Sequence, residues 1–299
     1  MSIIGPPRLA EIATQVFAAP GTVSVWCGSL TGPAALSVRA EEPHYAASTM
    51  KAAILAALYR AGASGELDLG AEVPVHNDFE SAVGGAARFG LRQSYDQDDD
   101  VWARIGQTAT LRWLATHMIV RSSNLATNLV LEHVGRGRVN EAWNLVGATG
   151  SVLGRGIEDS AARSAGITNL VTAADLAALF AAIARGAAGA DALAAPDVCT
   201  SMLEILLAQE HREDLATGLP PGTRIAHKNG WVDGVRHGAG VVFPDDAPPY
   251  VIVVCATTEW AHDEAGNDEA CRLIAAVSAA AWADRHSLGS AGQLGSAGQ

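Results

Sequence analysis

The chain carries eighteen arginines and only two lysines, Lys51 and Lys228. Lysine is needed where an amine must give up a proton. Arginine stays protonated, whereas burial, a nearby positive charge or a helix N-terminus can each favour the neutral lysine amine. Lys51 stands in "AASTMKAAIL" (46–55), three residues after Ser48. If Ser48 opens a helix, the two side chains share a face and can touch. A serine hydroxyl needs a base to become a nucleophile, and a neutral amine can be that base.

Two further stretches suit the same chemistry. In "VRSSNLATN" (120–128), Ser122 and Asn124 sit two apart at an expected junction of helices. The hydroxyl can relay a proton and the amide can hold a substrate carbonyl. In "HKNGWVDGVRH" (227–237), Lys228, Asn229 and Gly230 lie on an expected strand. A glycine in a strand often marks the close approach of a ligand. The N–H of Trp231 could join that of Ser48 in holding an oxyanion, and Arg236 could grip a substrate carboxylate as a fork. Each stretch alone has a plainer reading: a solvated lysine, a helix cap, or an ordinary strand with a surface lysine.

Taken in order, S-T-M-K (48–51), S-S-N (122–124) and K-N-G (228–230) resemble the S-x-x-K, S-x-N and K-[ST]-G triplet of the penicillin-recognising serine enzymes. Class A β-lactamases and penicillin-binding proteins belong there. Both lysines of the chain fall on the family's lysine positions, and the resemblance spans roughly residues 10–286. It implies that Ser48 is the nucleophile and Lys51 its base or proton relay. Ser122 would pass a proton to the leaving nitrogen or oxygen. Asn124 would bind the acyl side-chain amide. Lys228 would bring positive charge beside Ser122 and the substrate carboxylate.

The sequence also departs from that pattern. Asn229 replaces a Thr or Ser hydroxyl, which bears on carboxylate anchoring, and Ser123 replaces the Asp common in class A enzymes. The gap from Ser48 to Ser122 is longer than in β-lactamases and contains "SYDQDDD" (94–100), an insertion expected to be solvated. Class A enzymes activate water with the Glu of E-x-x-L-N. Here Glu158, in "GRGIEDSAARSAGITNLVT" (154–172), stands at a plausible distance, but Ala162 occupies the position of the Asn. Asp159 is the neighbouring candidate, and a structural acidic pair is the other reading. The runs "RGIED…AGITN" and "MIVRSSNLATN" look most like the β-lactamase-related serine hydrolases. The resemblance implies hydrolysis of a small amide or ester through an acyl-enzyme. A true β-lactamase, a biosynthetic acyltransferase and a sensor without turnover are the alternatives.

The elements that must position these groups follow from patterning. Strands are expected at both ends of the chain, as a hairpin in 22–40 and as runs 223–232, 235–244 and 250–259. Between them apolar residues recur at helical spacing in 110–120, 124–135, 172–186 and 195–210, and Thr172 with Asp175 resembles a capping box. This gives an α/β fold with a five-stranded antiparallel sheet flanked by terminal helices (6–21 and 268–286) and an inserted helical domain. The expected division is 1–45 with 216–288 for the sheet domain, 46–215 for the helical domain and 289–299 for a disordered tail. The site is expected in a cleft between the two domains.

Hydrophobic residues at 49% supply a core, and a net charge of −12 disfavours nucleic acid and anionic membranes as partners. Neither a signal peptide nor a membrane span is evident, so a cytoplasmic enzyme of a small molecule is expected. Four dispersed cysteines read as buried free thiols, and nine unclustered histidines give no metal or other cofactor. The oligomeric state stays open.

Overall fold

The computed structural model describes residues 5–190, 193–262 and 267–288; the expected disordered tail lies outside them. The chain opens with helix α1 (Pro7–Ala18), started by prolines that need no N–H in the first turn, and continues into β1 (Thr22–Ser29) and β2 (Leu36–Val38). A short turn at Ala47–Met50 runs into helix α2 (Lys51–Ala63). Helices α3 (Leu111–Val120), α4 (Asn124–Val134), α5 (Ala173–Ala187) and α6 (Pro196–Leu207) follow. Strands β3 (Arg224–Val232), β4 (Val235–Phe243) and β5 (Tyr250–Thr257) and helix α7 (Glu269–Ala283) complete the fold.

The sheet has the order β2-β1-β5-β4-β3 and is antiparallel throughout. Alternation along the strands divides the core in two. Val251, Val253 and Cys255 face α5 and join the core of the helical layer. Ile252, Val254 and Ala256 face α1 and α7. Asp284, at the end of α7, accepts the Leu9 N–H at 2.8 Å and so ties the two terminal helices together.

The main strands and helices lie within a few residues of their expected positions. Thr172 caps α5 by accepting the Asp175 N–H at 3.0 Å, while the Asp175 carboxylate turns to the Gly150 N–H at 2.9 Å rather than closing a capping box. The stretch between Thr49 and Arg212 is less purely helical than its periodicity suggests. Glu72–Pro74 pairs with Thr108–Thr110, and Asn169–Val171 is flanked by His44–Tyr45 and Val152–Leu153. Runs of two or three residues are too short to show a period. The four cysteines are buried. No helix among the described residues is long and apolar enough to cross a membrane.

Candidate active site

Ser48 lies half-buried in the turn that opens α2. Its segment is held from below by two buried histidines. The Ser24 hydroxyl donates to the Arg39 carbonyl (2.6 Å), so it accepts from His44 Nε2 (2.8 Å), leaving His44 Nδ1 to accept from Thr257 Oγ1 (2.8 Å). His237 Nε2–H donates to the Tyr45 carbonyl (2.8 Å), three residues before Ser48, while its Nδ1 lies 2.9 Å from the Arg236 carbonyl and 3.1 Å from the Ala256 nitrogen. Burial favours the neutral ring in both, lowering His44 to about 3 and His237 to about 4.

Ala47, just before Ser48, has φ +43°, and Ser122 has φ +58°. Left-handed backbone is uncommon outside glycine and clusters at functional sites. Gly230 of β3 meets this segment closely. A Cβ on Gly230 would lie 2.6 Å from the Ser48 nitrogen and 2.9 Å from the Thr49 nitrogen. The close approach expected of this glycine to a ligand is thus an approach to the backbone at the start of α2.

Lys51 is fully buried. Its Nζ donates to the Ser122 carbonyl (2.7 Å) and to Asn124 Oδ1 (3.0 Å), and lies 3.2 Å from Ser122 Oγ. The Asn124 amide is oriented by its Nδ2–H, which donates to the Tyr95 carbonyl at 2.8 Å. Two of the three partners are pure acceptors. As an ammonium its three protons match the three oxygens; as a neutral amine its two protons stay with the two pure acceptors and the lone pair turns to the hydroxyl. Burial lowers Lys51 to about 7, against an opposing pull from Asp96.

Lys228 is also fully buried, which excludes a surface lysine. Its Nζ donates to the Asn229 carbonyl (3.0 Å) and to Asn229 Oδ1 (3.2 Å). Burial and then the charge of Lys51 push its proton affinity well down, while Asp214 and Glu213 pull it up. Asn229, 1% exposed, supports Lys228 with its oxygen and directs its Nδ2–H to the His211 carbonyl at 3.4 Å. Its amide is therefore engaged inside the fold. Trp231 is half-buried, against His211 and Arg236.

Arg236 departs from its expected part. Its guanidinium is buried and donates to Asp268 Oδ2 (3.1 Å) and the His262 carbonyl (2.9 Å). Its charge is thus already paired inside the fold, and the side chain is 4% exposed.

The two acidic candidates separate cleanly. Asp159 is buried and accepts from Ser81 Oγ (2.8 Å), the Ala82 N–H (2.7 Å) and the Ala162 N–H (3.0 Å). Its carboxylate, which caps a short helix, has a structural role. Glu158 has φ +61°, and its carboxylate accepts from the Arg92 Nε–H (3.1 Å) and N–H (3.3 Å). The loop that carries it is pinned through its backbone. Asn128 holds both the N–H and the carbonyl of Ile157 (2.8 and 3.0 Å), and Asn169 holds the N–H groups of Gly154 and Arg155 (2.9 and 3.0 Å).

The acidic stretch 94–100 is not simply solvated. Asp96 is half-buried and accepts the N–H groups of Asn124 (3.0 Å) and Leu125 (2.8 Å) at the start of α4. Asp98 is buried against His117 and Arg121. Sequence reasoning missed Asp96, Tyr95 and Arg92. An N-cap position with no acid in the first turn of α4 was the available signal.

A sheet edge, a serine–lysine helix start and a Ser-x-Asn helix start thus meet in one place. The chain belongs to the β-lactamase enzyme family, whose sequence profile matches residues 8–284. No curated protein matches the chain. Among solved structures it is similar to PBP-A (23% identity, TM-score 0.74, covering 92% of this chain and 94% of that one). It is also similar to a β-lactamase from Sphaerobacter thermophilus (24%, TM-score 0.70, 92% and 96%). A class A β-lactamase from Mycobacterium abscessus is alike too (17%, TM-score 0.73, 93% and 98%). At these identities the likeness is one of fold.

Proposed function

We propose that this chain is a serine acyl hydrolase that cleaves a small amide or ester through an acyl-enzyme on Ser48. The observation that carries the reading is Lys51: fully buried, lowered to about 7, with two pure acceptors on its protons. In the proposed cycle Ser48 Oγ attacks the substrate carbonyl while its proton passes to the Lys51 amine. The oxyanion is held by the N–H groups of Ser48 and Trp231. The tetrahedral adduct collapses, the carbonyl–leaving-group bond breaks, and Lys51 returns the proton through the Ser122 hydroxyl to the departing nitrogen or oxygen. Water then cleaves the ester and frees Ser48. Glu158 can act as base in that step once its carboxylate turns from Arg92.

A β-lactamase proper is the second reading, supported by family membership. The Arg92–Glu158 pair speaks for slow turnover of penicillins, because the carboxylate is already engaged. The test is intact-mass spectrometry over time after exposure to a penicillin and to activated esters. The proposal expects a covalent adduct that water removes. An adduct that persists indicates a sensor. One discharged only by an added amine or alcohol indicates an acyltransferase. No adduct with any acyl donor contradicts the acyl-enzyme reading.

A further inference from the structure

The S-S-N motif lacks the acid that class A enzymes carry at its middle position, yet a carboxylate reaches the same helix start from elsewhere. Asp96, in the stretch before α3, accepts from five donors. Its Oδ1 takes the N–H of Asn124 (3.0 Å) and of Gln97 (2.7 Å). Its Oδ2 takes the N–H of Leu125 (2.8 Å), Trp102 Nε1–H (2.8 Å) and Ser123 Oγ–H (3.3 Å). Ser123 in turn accepts the Ala126 N–H at 3.1 Å. The neighbouring Tyr95 carbonyl accepts Asn124 Nδ2–H at 2.8 Å. Asn124 is thereby held through its backbone by Asp96 and through its side chain by Tyr95. What remains of its amide, Oδ1, faces Lys51 Nζ at 3.0 Å.

We infer that Asp96 is a positioning residue for Lys51: it fixes the start of α4 so that the Asn124 amide oxygen is set against the amine. The inference rests on the reading of Lys51 as the base. The charges facing Lys51 are Asp96 from the 94–98 stretch and Lys228 from β3, whereas Ser122 and Asn124 at the α3–α4 junction are neutral. Burial lowers the Lys51 proton affinity and Asp96 raises it. The carboxylate missing from the motif is in effect supplied by a loop 27 to 29 residues away in sequence.

The two-lysine composition makes the test direct. Lysine labelled with carbon-13 at the ε position gives two side-chain signals, assigned by the one lost in Lys228→Arg. The Lys51 midpoint is then read by NMR titration, with no substrate present. Asp96→Asn should lower that midpoint by about one pH unit, the scale of losing a close opposite charge, and Asp96→Glu should leave it in place. The rising limb of acylation against pH should move down by the same amount. An unmoved midpoint in folded Asp96→Asn, or an equal fall in Asp96→Glu, overturns the inference and leaves Asp96 a helix cap. If Asp96→Asn does not fold, Asp96→Ser, which keeps one acceptor without the charge, carries the same expectation. A wild-type protein that forms no acyl adduct would contradict the hydrolase reading while the midpoints still decide the role of Asp96.

Discussion

Lys51 and Lys228 are both fully buried, and the charge of Lys51 lowers the proton affinity of Lys228. Two amines in one low-dielectric site cannot both be cations cheaply, so the protein disfavours the doubly charged state. The roles are compatible only if the two amines share one proton. Lys51 must lose its proton to act, and once it is neutral only burial still opposes the charge asked of Lys228. Lys51→Arg should therefore reduce the acylation rate ~10²-fold or more, the scale of lost general-base catalysis. Lys228→Arg should cost clearly less. Stopped-flow or quenched-flow acylation rates for the two variants check this, and equal losses contradict the assignment.

The pH dependence follows with a definite sign. Lys51 is a base only when neutral, so acylation should rise with pH through about 7 and then level off. The same group affects stability. It is protonated in the unfolded chain up to its ordinary value of 10.5, but neutral in the folded chain above about 7. Between those values the unfolded state binds more protons, so this residue's contribution to stability grows as pH rises. Lys51→Met should thus raise the melting temperature more at pH 7 than at pH 10. A gain that is equal at both places the shifted proton elsewhere.

Glu158 is poised but engaged. Its partner Arg92 is largely exposed, so the pair is held weakly and can open. Glu158→Gln should acylate at the wild-type rate and then accumulate acyl-enzyme. Arg92→Ala should speed deacylation by freeing the carboxylate. Intact-mass decay curves check both. Wild-type decay in Glu158→Gln makes the residue structural.

Gly230 is a steric prediction. Its Cβ site is occupied by the amide nitrogens of Ser48 and Thr49. Gly230→Ala must push β3 from the start of α2, at a cost of about 1–3 kcal/mol, as for other overpacked sites. Acylation should fall as well, because the Trp231 N–H moves with the strand. A denaturant midpoint and an acylation rate both like wild type would show that the contact is soft.

The sequence discloses local and periodic features best. Ser48 and Lys51 are three apart, so placing both at the start of α2 needs only a helix, and the strands around Lys228 alternate plainly. What it hides is long-range. Arg92 meets Glu158 across 66 residues, and Arg236 meets Asp268 across 32. Both pairs change the meaning of residues that looked free to meet substrate. Asp96 sits in a run of acids that reads as solvated, because only the folded chain brings Asn124 and Leu125 to it. Asn229 reads as a departure at a substrate position, yet its amide supports Lys228.

The central claim is that Ser48 forms the acyl bond, and mapping the adduct tests it most directly. The protein is exposed to a penicillin or an activated ester, quenched in acid, digested and sequenced by tandem mass spectrometry, with Ser48→Ala treated in parallel. The account predicts the acyl mass on Ser48, and no adduct on the folded Ser48→Ala protein. An adduct on Ser122, or acylation and turnover unchanged in Ser48→Ala, would contradict it.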